Sequence, residues 1–96
     1  MGKPVKLTII LPMHNEEKRV ESCAAAVKKA CGKAAGSCEI MITEDGSHDA
    51  TYKIAKRLAK KDPSITVFHS AKRLGRGAAL TAALRRARGK VSVYMD

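Results

Sequence analysis

The side chains best suited to chemistry fall in three short polar clusters: His14-Asn15-Glu16, Glu44-Asp45 and Asp96. Each closes a short apolar run, and each is rich in oxygen acceptors. Carboxylates gathered in one place repel one another unless something positive stands between them. A hard divalent cation with oxygen ligands would serve, above all one bound together with a phosphate. Carboxylates also accept hydrogen bonds from ring N–H groups and ribose hydroxyls. Both uses point towards a nucleotide. Opposite charge comes from Lys72-Arg73-Leu74-Gly75-Arg76-Gly77, a loop leading into a helix start, where anions bind readily. It is not a Walker P-loop, because no Gly-Lys-Ser/Thr follows at the required spacing, and no GxGxxG follows the first apolar run. His14 could meet a base or face water, His48 belongs to a turn, and His69 reads as a solvated loop residue. None of the three is assigned catalysis.

The elements that must position these groups alternate. Residues 6–11 form a β-branched run that suits a strand covered on both faces. Pro12 is expected to end it, since proline cannot donate to a ladder. Asn15 is then placed as an N-cap with Glu16 and Glu17 in the first helical turn. The helix carries Val20, Cys23, Ala24, Val27, Ala30 and Cys31 on one stripe, with Gly32 and Gly36 at its exit. Ile40-Met41-Ile42 reads as a second buried strand, breaking at Glu44-Asp45-Gly46-Ser47. A helix restarts behind Ser47 or Asp49, with Thr51, Ile54, Ala55 and Leu58 inward and Lys53, Lys56, Arg57, Lys60 and Lys61 outward. Asp62-Pro63 stops it. Residues 64–68 form a third strand. A third helix places Leu80, Ala83, Leu84 and Ala87 on one face and ends at Gly89. Residues 91–96 form a fourth strand, finishing on Asp96. Strand-helix alternation of this kind predicts right-handed crossovers and a mainly parallel sheet with helices on its faces. Ligands of such folds bind at the carboxyl ends of the strands, which gathers the three polar clusters on one rim.

Composition narrows the class. Ninety-six residues make one small domain, and a last strand without a cover reads as the N-terminal part, residues 1–96, of a longer protein whose open sheet invites self-association. No run is long and apolar enough to span a membrane, and no signal-peptide pattern opens the chain, so an intracellular location is expected. Three cysteines without a CxxC pair read as structural thiols rather than a zinc site or disulfide framework. The net charge of +10 is compatible with nucleic acid, a phosphorylated ligand or an anionic surface. A basic nucleic-acid-binding α/β module using Arg73, Arg76, Arg85, Arg86 and Arg88 is the alternative. It is disfavoured by one Phe, two Tyr and no Trp, which leave almost nothing to stack on bases. A receiver or flavodoxin-like domain would leave the glycine-punctuated loop unexplained.

Four segments in order resemble family 2 glycosyltransferases, especially the dolichyl-phosphate mannosyltransferase and glucosyltransferase group. Ile9-Ile10-Leu11-Pro12-Met13-His14-Asn15-Glu16-Glu17 is similar to the family's strand-Pro-x-x-Asn-Glu opening. Glu44-Asp45-Gly46-Ser47-His48-Asp49-Ala50-Thr51 resembles its Asp-Asp-Gly-Ser-x-Asp-x-Thr. Leu74-Gly75-Arg76-Gly77-Ala78-Ala79-Leu80, followed by Ala87-Arg88-Gly89, resembles Asn-x-Gly-x-Gly-x-Ala and its Ala-x-Gly. Asp96 falls where the family has the first Asp of its Asp-x-Asp metal motif. The resemblance implies a GT-A fold, a three-layer Rossmann-like nucleotide-binding half, truncated here at the metal motif. It implies that Pro12, His14 and Glu16 line a base and ribose pocket, that Asp45 with Glu44 beside it contacts the base, and that Asn15, Gly75, Arg76 and Gly77 complete the nucleotide site. Asp96 would approach ribose and diphosphate and contribute to a Mg²⁺ or Mn²⁺ site. The implied donor is a nucleotide-sugar of the GDP-mannose or UDP-glucose type, and the acceptor a polyprenyl phosphate at the cytoplasmic face of a membrane. Glu44 departs from the family's first Asp, and Lys72-Arg73-Leu74 stands where an Asn often precedes the glycine.

Overall fold

Ile9, Ile10 and Leu11 in a row, and Ile40, Met41 and Ile42 in another, leave no polar side for water. Strands of this kind must be covered on both faces. A computed structural model describes residues 7–34, 38–87 and 91–94 and shows how the cover is built. The elements run β1 (Leu7–Met13), α1 (Val20–Ala34), β2 (Cys38–Asp45), α2 (Thr51–Lys61), β3 (Ile65–Ser70), α3 (Arg76–Arg86) and β4 (Val91–Tyr94). The four strands are parallel in the order β3-β2-β1-β4.

That order decides where the helices lie. From β1 to β3 the chain moves in one direction across the sheet, so right-handed crossovers put α1 and α2 on the same face. From β3 to β4 it moves back past β2 and β1, and the same handedness puts α3 on the other face. The packing agrees. Ile9, Leu11, Met13, Ile40, Ile42 and Ile65 meet Val20, Ala24, Val27 and Cys31 of α1 and Ala55 of α2. Across the sheet, Ile10 and Met41 meet Ala83, with Leu80 beside them. Ile10 and Ile42 are both fully buried, and each contributes roughly 1.5–3 kcal/mol of transfer free energy.

Several local expectations need correction. β1 does not stop at Pro12: pairing with β2 continues through Pro12↔Thr43 and Met13↔Glu44. The described part of β4 pairs only as far as Ile10, and proline is tolerated where a strand has an unpaired edge. α1 begins at Val20, not behind Asn15, because Asn15 takes a left-handed φ of 53° and its side chain serves another loop. Ala30 is exposed, Gly32 lies inside α1, and Gly36 and Gly89 fall outside the described residues. α2 starts at Thr51 after Ala50, whose side chain makes no cap; the Asp49 carboxylate accepts from the Thr51 N–H instead. β3 runs on to Ser70, so His69 is a strand residue. Among the described residues of α3 the buried positions are Ala79 and Ala83, and Leu84 is 48% exposed. Cys31 and Cys38 form a disulfide, with Cα atoms 6.3 Å apart, while Cys23 is free. Their sequence separation gave no hint of it; the pairing follows from the return of the chain from the end of α1 to the start of β2.

Candidate functional site

β1 and β2 lie in register with their carboxyl ends side by side, so the turns after them are neighbours. The two turns are tied together. The Asn15 N–H donates to Ser47 Oγ (3.0 Å) and the His48 N–H donates to Asn15 Oδ1 (2.8 Å). The Glu16 N–H donates to Thr51 Oγ1 (2.7 Å), the Glu17 N–H to Asp49 Oδ2 and the Ala50 N–H to Glu17 Oε2. Asn tolerates the left-handed conformation that this crossing requires. The Thr51 hydroxyl beside Asp49 is the main reason the Asp49 carboxyl is held below its ordinary value.

A third segment joins through Asp45. Its carboxylate is nearly buried and accepts from the Leu74 N–H (2.6 Å) and the Gly75 N–H (3.0 Å). Gly75 is the N-cap of α3 and has a φ of 94°, a conformation suited to glycine. No acid stands in the first turn of α3, and Asp45 supplies from β2 the negative charge that this helix end favours. The anion-attracting end of α3 is thus already met by a protein carboxylate. Beside Asp45, Gly46 has a φ of 62°, and a Cβ there would lie 2.6 Å from the Arg73 nitrogen. The chain at residues 72–73 passes too close for any side chain. The Gly46 N–H donates to the Ser70 carbonyl (2.8 Å), closing the same contact.

Between these segments lies a cleft of about 180 Å³ lined by Pro12, Met13, His14, Glu16, Thr43, Asp45, Arg73 and Ala79. That is less than the roughly 300–1,000 Å³ of sites that enclose a whole ligand, and it suits one ring system with the remainder outside. His14 Nδ1 lies 2.7 Å from the Asp45 carbonyl, which can only accept, so Nδ1 carries the proton and Nε2 is left to accept from Asn15 Nδ2 (3.2 Å). A carboxylate has about four acceptor positions. Asp45 uses two on the backbone of residues 74–75, leaving others for a donor in the cleft.

Of the residues expected at a nucleotide, Pro12, His14, Glu16 and Asp45 come together around this cleft. Asn15, Gly75 and Gly77 do not line it; Asn15 ties the loops, and Gly75 shapes the entry to α3. Glu44 points to the other face of the sheet. It is 1% exposed, its Oε2 accepts from the Ser47 N–H (2.6 Å), and its Oε1 accepts from His69 Nδ1. His69 in turn stacks on Tyr52, ring centroids 3.7 Å apart. The Arg76 side chain and Asp96 lie outside the described residues. Among the described residues no group of three or more His, Cys, Asp or Glu side chains converges on a metal position. Sequence reasoning missed Met13, Thr43 and Ala79 as lining residues and placed Arg73 only within the basic loop. For Arg73 the signal was its place just before the Leu74-Gly75 step, where the family often carries Asn.

A parallel sheet whose first two strands end in a shared polar cleft is the frame on which open α/β folds bind their ligands. Comparison with known proteins makes the class specific: the glycosyl transferase family 2 model matches residues 8–96, and the chain belongs to that family. Glycosyltransferase AglD of Haloferax volcanii is 38% identical over 94 residues, covering 96% of this chain and 15% of that protein. A dolichyl-phosphate β-glucosyltransferase of Trichomonas vaginalis is 32% identical over 97 residues, covering 96% of this chain and 29% of its own length. Among solved structures, the mannosyltransferase PcManGT of Pyrobaculum calidifontis, in complex with GDP-Man and Mn²⁺, superposes with a TM-score of 0.77 at 26% identity. That match covers 93% of this chain and 26% of the other. The chain therefore spans less than a third of the length of these relatives. Among the described residues no helix is long and apolar enough to cross a membrane.

Proposed function

We propose that the chain forms the donor-nucleotide half of a glycosyltransferase, and that the rim cleft takes the base of a nucleotide-sugar of the GDP-mannose or UDP-glucose type. The observation that carries this is the cleft itself: Asp45 with free acceptor positions, His14 and Glu16 beside it, and the Arg73 cation at its wall. Pro12 and Thr43 give the base a dry edge, while ribose and diphosphate extend outward past Glu16. The names of the relatives support a dolichyl- or other polyprenyl-phosphate acceptor for the whole enzyme, and the whole enzyme would meet such an acceptor at the cytoplasmic face of a membrane. In the whole enzyme a Mg²⁺ or Mn²⁺ ion, with Asp96 among its ligands, would neutralise the diphosphate leaving group. The 96-residue chain by itself binds nucleotide weakly and transfers no sugar, in keeping with the fraction of its relatives that it spans.

An amide-resolved NMR titration with GDP and UDP, each with and without Mg²⁺, tests this reading. Perturbations concentrated in residues 13–16, 43–47 and 73–75 are expected, and the tighter nucleotide identifies the donor class. If both nucleotides leave those signals in place while a short oligonucleotide moves residues 73–87, the domain is a nucleic-acid module instead.

A further inference from the structure

Glu44 and Asp45 are consecutive on β2 and point to opposite faces of the sheet, and both grip the same neighbour. In register, Glu44 pairs with His69 and Asp45 with Ser70, the last two residues of β3. On the α2 face, Glu44 accepts from His69 Nδ1 and closes the Glu44–Ser47 turn through the Ser47 N–H. On the α3 face, Asp45 holds the N–H groups of Leu74 and Gly75. The segment after β3 is thereby pinned from both sides, and that segment carries Arg73 into the cleft. A charge-assisted hydrogen bond on a fully buried carboxylate is strong and costly to lose. The Tyr52 ring, lying 7° from parallel to His69, keeps the imidazole from swinging away from Glu44. An aspartate at position 44 would be one methylene short of His69.

We propose that Glu44, His69 and Tyr52 form a positioning clamp, remote from the ligand, that sets the place of Asp45 and Arg73 in the cleft and thereby the affinity for the base. The clamp rests on the donor-nucleotide reading, but its mechanical part has its own readout. The reporter is hydrogen exchange at the Leu74 and Gly75 amides, which are protected only while Asp45 holds them. In His69→Ala of the 96-residue chain, protection of these two amides falls about tenfold, and GDP or UDP affinity falls by a similar factor, as one lost buried charge-assisted hydrogen bond implies. His69→Asn keeps a donor near the Nδ1 position and restores both to within about threefold. Should His69→Ala fail to fold, Tyr52→Ala and Glu44→Asp provide the same comparison.

Unchanged exchange at Leu74 and Gly75 in variants that fold overturns the clamp. Faster exchange with unchanged nucleotide affinity overturns its role in positioning. Failure of His69→Asn to rescue either quantity also counts against it, since bulk at position 69 would then be what matters. If the wild-type chain binds neither nucleotide, the donor reading fails, and with it the role assigned to the clamp, while the exchange data still report whether Glu44 holds the loop.

Discussion

The two faces of the sheet are built to different ends. Under α1 and α2 lies a broad apolar layer of eleven buried residues. On the α3 side, among the described residues, Ile10 and Met41 of the sheet meet Ala83 of α3, with Leu80 beside them. β2 serves both: Ile40, Ile42 and Glu44 face the thick layer, while Met41, Thr43 and Asp45 face the thin one. A fold of this size has little apolar material to distribute. Placing most of it on one face frees the other to carry polar side chains around a cleft. The period-two alternation of a strand separates the apolar layer from the cleft, so adjacent residues of β2 face different surroundings.

Truncating a core side chain on each face in turn separates their contributions. Ile42→Ala, in the thick layer, is expected to cost about 3–4 kcal/mol, and Met41→Ala, in the thin one, about 2 kcal/mol. Urea unfolding measures both, and equal losses would show that the two faces share the core evenly. Next comes the joint between the faces. Gly46→Ala combines a left-handed backbone with a clash against the Arg73 backbone and should cost about 2–3 kcal/mol, with chemical-shift changes spreading to residues 72–75. A stable variant with unmoved loop signals would contradict the close approach seen there.

Asp45→Asn keeps the shape of the side chain but removes its charge. Because its NH2 would face one of the two N–H groups that the carboxylate holds, it should destabilise by about 1–3 kcal/mol and lower nucleotide affinity roughly tenfold, so that both quantities move together. Loss of stability without loss of affinity would move it to the structural side. The smallest effect lies at the far end of the thick layer. There the Lys28 ammonium, and then the Ser64 hydroxyl, hold the Asp62 carboxyl below its ordinary value of 3.8. A depressed carboxyl contributes its stability fully above that value and loses it as pH falls through the lower folded-state value. Lys28→Ala should therefore cost well under about 1 kcal/mol at neutral pH and flatten the acid limb of the stability curve below about pH 4. An unchanged acid limb would show that the pair does not persist in solution.

Element order, the parallel sheet and the family could be read from the residues alone, because apolar runs, helical stripes and four spaced motifs are local patterns. So could the inward and outward faces of α2: Thr51 and Ala55 are buried, and Lys53, Lys56, Arg57, Lys60 and Lys61 are exposed. Pro12, His14, Glu16 and Asp45 were legible as neighbours at the sheet rim because strand ends converge whatever joins them. Tertiary structure alone decided the rest. It turned Asn15 from a helix cap into a tie between loops, drew His69 into β3, paired Cys31 with Cys38 and brought Arg73 to the cleft. It also turned Glu44 to the face opposite the cleft that Asp45 lines. Each of these depends on which residues distant in sequence become neighbours, and the strand register that makes them so is fixed only once the whole sheet is assembled.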